Sequence, residues 1–184
     1  MQNNYELPNL ETKRLLLTKL DMSHLDDLFE VYSEPQTTRY VPRNVHENKE
    51  ETHSLLEKMM KATKEGKAFV WSVMLQENQK AIGTCGIWIL PHSSASLGAV
   101  ISPLYWGKGL IVEALEELIK FAFQELSLNR IEGRCDVKNI ASERVMQKLQ
   151  MIYEGTLRQS VKINERYCDS KVYSLLKQEY NIAW

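Results

Sequence analysis

Between a strand-like run and a strongly helical one the chain reads Ser102-Pro103-Leu104-Tyr105-Trp106-Gly107-Lys108-Gly109-Leu110. Gly107 and Gly109 remove side chains where the helix begins, so several backbone N–H groups can converge on one anion. The positive end of the helix dipole adds to that attraction. A phosphate or pyrophosphate is the natural guest, and the plain alternative is a tight turn that binds nothing. Two nucleotide patterns fail on spacing. A P-loop needs Gly-Lys followed by Ser or Thr, and Gly109 stands there instead. A dinucleotide fingerprint needs a third glycine where Val112 stands, and it belongs to a first β-α-β unit rather than past the midpoint of the chain.

The elements around this loop follow from periodicity. Ile111, Ala114, Leu115, Leu118, Ile119, Ala122, Phe123 and Leu126 repeat at the helical period and form the clearest helix of the sequence. Leu97 to Ile101 is the strand that feeds the loop. Ile131, Gly133, Cys135 and Val137 alternate with Glu132, Arg134 and Asp136, which predicts a half-buried strand after the helix. Asn139 to Leu149 is a short helix with Val145, Met146 and Leu149 inward. Upstream, Thr12 to Leu20 reads as a strand, and Ser23 with Asp26 as the cap and acidic first turn of a helix carrying Leu25, Leu28, Phe29 and Tyr32. Glu34-Pro35 should stop it. A second helix spans Glu47 to about Glu65, with Gly66 at its C-terminal cap. Ala68 to Leu75 and Ala81 to Leu90 form a hairpin. Met151 to Ile163 and Arg166 to Leu176 form another, around Asn164-Glu165. This order predicts one α/β domain over residues 1–184, its core at about 10–180, with a mixed sheet.

Composition removes several function classes. The 184 residues carry 23 basic and 24 acidic side chains, a net charge of −1, which counts against a dedicated nucleic-acid binder. With 43% apolar and 26% charged residues the chain is ordinary globular protein rather than disordered. No apolar run approaches the ~20 residues of a membrane span, and Met1 to Glu6 lacks the layout of a signal peptide. Cys85, Cys135 and Cys168 are odd in number and widely spaced, so neither a disulfide framework nor a metal site is expected. The expected setting is the cytoplasm.

The run Tyr105-Trp106-Gly107-Lys108-Gly109, continuing to Glu113-Ala114, resembles the acetyl-coenzyme A loop of the GNAT N-acetyltransferases. It is closest to the branch that acetylates ribosomal-protein N-termini. Arg14-Leu15, Leu128-Asn129-Arg130-Ile131, Asn139 with Ser142, Tyr153 to Arg158, and Asp169 with Tyr173 to Leu176 match in the same order, so the resemblance covers nearly the whole chain. It implies a mostly antiparallel mixed sheet of about seven strands with about four helices, splayed between the fourth and fifth strands. It also implies acetyl-coenzyme A as cosubstrate and an amine, either a protein N-terminus or a small molecule, as acceptor. Backbone amides from Trp106 through Gly107, Lys108, Gly109 and Leu110 to Ile111 would hold the pyrophosphate. Val100 and Ile101 would pair with the pantetheine arm, Asn139 would touch it from the other side, and Ser142 would lie near the departing sulfur. The family pattern has Gln or Arg where Trp106 stands, Gly or Ala at Ile111, often Glu at Ser96, and Gly-Phe at Gln150-Met151. A catalytically silent acyl-coenzyme A-binding module is therefore the alternative expectation. A homodimer joined through the last strands is a further one.

Acetyl transfer requires a neutral amine. At pH 7 deprotonation costs roughly 1 kcal/mol for an α-amino group and about 4.6 kcal/mol for lysine. A weak base or a water chain therefore suffices for a peptide N-terminus, which makes the missing carboxylate at Ser96 less damaging. Ser142 is the candidate to protonate the thiolate, with helix capping as its structural alternative. Asp136 could orient a water, or simply be solvated. Cys135 is expected in the core, His92 exposed in a turn. Tyr40, Trp71, Trp88 and Tyr153 could line an acceptor groove, although strand spacing favours core packing for Trp71 and Trp88. Glu47, Glu50 and Glu51 could attract a basic peptide or form a solvated helix face.

Overall fold

Side-chain alternation decides the strand pairing, and the apolar stripes decide where helices lie on the sheet. The computed structural model describes residues 7–183, so the expectation for Met1 to Glu6 lies outside the described residues. Its strands are β1 (Leu10–Glu11), β2 (Leu15–Lys19), β3 (Ala68–Leu75), β4 (Ala81–Leu90), β5 (Ser94–Ile101), β6 (Arg130–Asp136), β7 (Ile152–Ile163) and β8 (Arg166–Leu176). Its helices are α1 (Leu25–Tyr32), α2 (Pro35–Thr38), α3 (Lys49–Lys64), α4 (Leu110–Gln124), α5 (Ile140–Lys148) and α6 (Lys177–Ala183). The strands form one sheet in the order β1-β2-β3-β4-β5-β6-β8-β7, antiparallel at every step except β5 with β6.

This is the mixed, mostly antiparallel α/β architecture expected, with eight strands and six helices instead of about seven and four. The additions are short. A two-residue β1 has no alternation to detect, and the four-residue α2 has no apolar stripe.

Two cores sandwich the sheet. On one face α4 buries Leu118, Ile119 and Phe123 with Trp71, Ile87 and Ile131; fully burying each such side chain contributes ~1.5–3 kcal/mol. On the other, α1 and α3 bury Leu28, Tyr32, Leu56 and Met59 with Ala68 and Val70. β3 lies between both layers, which is why all of its residues are buried and why it reads as a continuous apolar run.

Local caps differ from expectation in two places. Asp21, not Ser23, is the capping residue: its carboxylate accepts from the Ser23 N–H at 2.8 Å and starts a 3-10 turn, Met22–His24, ahead of α1. Pro35 opens α2 rather than only ending α1, because proline suits a first helical position, where no N–H is needed. The α3 boundaries agree: Asn48 Oδ1 accepts from the Glu51 N–H at 3.1 Å, and Gly66 follows with φ +67°.

One discontinuity positions the site. β4 follows β5 in register through Ile101, whereas β6 pairs with it only at Ser94–Ser96 against Arg130–Glu132. Beyond Ser96 the two strands share no paired residues, and the sheet opens there. This is the expected splay; its strands are β5 and β6 once β1 is counted.

Candidate active site

The loop from β5 to α4 begins with a 3-10 turn, Pro103–Tyr105, whose end is closed by the Trp106 N–H on the Pro103 carbonyl at 3.1 Å. Gly107 and Gly109 then adopt φ of +74° and +77°, a conformation in which a Cβ would be strained. Gly109 stands at the N-cap without a side-chain cap, and the first helical bond runs from the Glu113 N–H to the Gly109 carbonyl at 3.1 Å. Among the described residues, none accepts from the N–H groups of Gly107, Lys108, Gly109, Leu110, Ile111 or Val112. That unpartnered set, exposed at Gly107 to Gly109, fits an anionic pyrophosphate by direction and by dipole. Of the amides expected there, that of Trp106 donates to the Pro103 carbonyl, and the Val112 N–H is open as well.

Trp106 bends back. Its Nε1 donates to the Ile101 carbonyl at 3.0 Å, so that carbonyl, on the strand expected to pair with the pantetheine arm, is already engaged. Val100 is half-buried against the α1/α3 core, and Ile101 lies in the α4 core. Leu110 is buried, and half-buried Ile111 packs against the α4 core.

Two motifs distant in sequence anchor the loop. Glu113, in the first turn of α4, accepts from the Arg14 backbone N–H and Nε at 2.7 Å each and from the Thr12 hydroxyl at 2.6 Å. Arg14 Nη1 also donates to the Lys108 carbonyl at 2.9 Å. Burial pushes the Glu113 carboxyl up, but the Thr12 and Arg14 bonds outweigh it and hold the group below the usual carboxylate range. The sequence showed Arg14 and Glu113 as separate matches; nothing in their spacing announced that they meet.

On the far side of the splay, Asn139 caps α5 by accepting from the Ser142 N–H at 3.1 Å. The capping residue is thus Asn139, and the Ser142 hydroxyl is left without a hydrogen-bond partner among the described residues. Gly133 sets the approach of α5, since a Cβ there would meet Met146 Sδ at 2.7 Å. Beside Ser142, Glu143 accepts from Lys171 Nζ at 2.6 Å and from the Tyr173 hydroxyl at 2.8 Å. The lysine contact, then the tyrosine one, lowers the Glu143 pKa.

The remaining candidates separate. Cys135 is buried as expected, and burial pushes its thiol up to about 11. Asp136 is not solvated: it is 7% exposed and accepts from the Lys138 N–H at 2.7 Å. His92 is exposed. The four-aromatic groove does not assemble, because Trp71 is fully buried with its Nε1 on the Pro8 carbonyl at 2.8 Å. Tyr153 pairs with Tyr173, which pairs in turn with Gly133, on the α5 face, opposite Trp88. Trp88 is 38% exposed, so core packing does not hold for it. Glu47, Glu50 and Glu51 rim an open groove that also holds Arg43, His46 and Lys58, a mixed rather than acidic lining. Ser96 pairs across the ladder with Glu132. No three His, Cys, Asp or Glu side chains among the described residues come together to hold a metal ion.

An amide cradle at a helix start, beside a sheet opened between two parallel strands, defines a class, and the sequence comparisons agree with it. Residues 14–152 match the family described as the acetyltransferase (GNAT) domain, and the chain belongs to that family. It is 31% identical over 176 residues to an uncharacterized N-acetyltransferase, p20, of Bacillus licheniformis, covering 95% of this chain and 99% of that one. Its structure is similar to that of a GNAT-family acetyltransferase from Bacillus anthracis, with a TM-score of 0.84, 26% identity and coverage of 94% and 100%. It also shares its fold with RimL, a ribosomal L7/L12 alpha-N-protein acetyltransferase in complex with coenzyme A, at a TM-score of 0.84, 21% identity and coverage of 94% and 99%.

Proposed function

We propose that the protein transfers an acetyl group from acetyl-coenzyme A to a primary amine, with a protein N-terminal α-amino group as acceptor, in the cytoplasm. The observation that carries this reading is the set of unpartnered N–H groups from Gly107 to Val112 at the start of α4, next to the opening between β5 and β6. Bound acetyl-coenzyme A supplies an acetyl thioester open to attack by an amine.

The chain's own residues do the rest. Gly107 to Val112 hold the pyrophosphate through backbone dipoles, so side-chain departures at Trp106 and Ile111 leave the donors in place. Val100 and Ile101 flank the opening on one side, Asn139 and Ser142 on the other. Unpaired N–H groups of β5 past Ser96 polarise a carbonyl, as an oxyanion hole does. Ser142 Oγ, without a partner of its own, is the group that donates to the departing sulfur. An α-amino acceptor needs little help to lose its proton, as its reference pKa of about 7.7–8.0 shows. The similarity in fold to RimL, a ribosomal L7/L12 alpha-N-protein acetyltransferase, supports that acceptor.

Calorimetric titration with acetyl-coenzyme A tests the binding half, and free-thiol release with a panel of N-terminal peptides and small amines tests turnover. Saturable binding with peptide-dependent thiol release is expected. No binding at millimolar ligand sinks the proposal, and binding without turnover on any amine favours a silent binding module. Ser142→Ala should lower kcat by ~10²-fold, the low end for general acid catalysis, while coenzyme affinity stays within about twofold.

A further inference from the structure

Cross-strand pairing sets Ala68, Trp88, Ser96, Glu132 and Ser174 in one row on the sheet face that carries α1 and α3. The helical cover ends within that row: Ala68 is 1% exposed and Trp88 38%. The six-membered ring of the Trp88 indole lies over Gly86 and Gly98, whose hypothetical Cβ atoms would stand 3.2 and 3.3 Å from it. Ser96 with Glu132 is the last pair before β5 and β6 part. Glu132 therefore sits at the vertex of the opening, two strands from Trp88 with Ser96 of β5 between them, and on the same face.

Its carboxylate is unevenly satisfied. Oε1 accepts from Arg134 Nε at 3.0 Å and faces Nη2 at 2.9 Å. Oε2 makes only a longer ion pair, to Arg130 Nη2 at 3.8 Å. Arg130 is committed elsewhere, to both oxygens of Glu154 at 2.7 and 2.6 Å. The Glu132 side chain is only 12% exposed, whereas that of Arg134 is 51% exposed. An unevenly paired, mostly desolvated carboxylate on the same sheet face as an exposed indole attracts an ammonium by ion pairing and by cation–π contact.

We propose that Glu132 and Trp88 form the subsite that receives the acceptor as an ammonium ion, with Arg134 as the cation it displaces. The proposal rests on the acetyltransferase reading and deepens it, by making positive charge on the amine the recognised feature. It needs no bond to be made or broken.

The test is calorimetry on coenzyme A-loaded protein with tetra-alanine amide and with its N-acetylated counterpart, which has no ammonium. Wild-type protein should bind the free peptide at least about tenfold more tightly, the range of a desolvated charge pair. Glu132→Gln should bring the two peptides within about twofold without changing affinity for coenzyme A or for the acetylated peptide, which a merely structural role would disturb. Arg134→Ala, at an exposed position that folding tolerates, should tighten the free peptide by about two- to fivefold. No preference in wild-type protein, a preference that survives Glu132→Gln, or no gain in Arg134→Ala overturns the proposal. Coenzyme A titrated alone keeps the two readings apart. If it does not bind, the acetyltransferase reading fails; if it binds and the peptides are not distinguished, only the ammonium subsite fails.

Discussion

The two sides of the opening between β5 and β6 are built from different material. On the α4 side the candidate ligand groups are backbone N–H dipoles from Gly107 to Val112, aimed by two glycines at positive φ. On the face that carries Trp88 and Glu132 they are side chains, held by ion pairs and by register across several strands. A backbone site tolerates Trp106 and Ile111, because their substitution leaves every amide in place. A side-chain site changes its ligand with each residue, so the same fold accommodates many acceptors.

Breaking the backbone side should have the largest effect. Gly109→Val forces a β-branched residue into a φ of +77°, with its Cβ 3.7 Å from Arg14 Nη2. Strain of ~1–3 kcal/mol should weaken coenzyme affinity by roughly ten- to a hundredfold, measured by calorimetry. Unchanged affinity would mean that the amides do not hold the ligand.

A smaller loss is expected where a side chain braces that backbone. Arg14→Ala strips Glu113 of its guanidinium and the Lys108 carbonyl of its donor. The Arg14 side chain is 45% exposed, so a cost of ~1–2 kcal/mol is expected in urea unfolding, together with a several-fold weaker coenzyme complex. Lysine cannot reproduce the planar fork, so Arg14→Lys should recover only part of either quantity.

The smallest effect belongs to the ion pairs on the face that carries Trp88 and Glu132. Hydrogen bonds from Arg130, then Ser174, lower the Glu154 pKa from 4.5 to about 2. A carboxylate with a depressed folded-state pKa adds stability above pH 4.5 and loses it as pH falls from 4.5 towards 2. Its side chain is 41% exposed, so screening limits the contribution to about 0.2–1 kcal/mol. Unfolding of the wild type and Glu154→Gln should converge across that window and differ above it. Equal stability at neutral pH would show that the Arg130 pair contributes nothing.

What could be read in advance follows the same division. The Gly-x-Gly turn, the α4 stripe and the alternation of β6 are local patterns, and the structure places each within two residues of its expected bounds. Cys135 in the core followed from period two alone. Trp71 and Trp88 had the same local signal, yet one is sealed between two layers and the other lies where the cover ends. The face each tryptophan takes distinguishes them: Trp71 lies under α4 against Phe121, and Trp88 lies on the opposite face, where the cover of α1 and α3 ends. Asp136 alternates with buried residues and is buried nonetheless, because its carboxylate folds back to the Lys138 N–H.

By itself, the sequence determined the order of elements and the Gly-x-Gly turn, because hydrogen-bond geometry and side-chain period act within a few residues; its resemblance to the GNAT N-acetyltransferases supplied the acetyl-transferring class. Tertiary structure alone decided that Arg14 braces Glu113, that β6 leaves β5 after three pairs, and that Glu132 faces Ser96 at the vertex. Those contacts join residues 36 to 99 positions apart, and only sheet register, set by the burial of two cores together, brings them into contact.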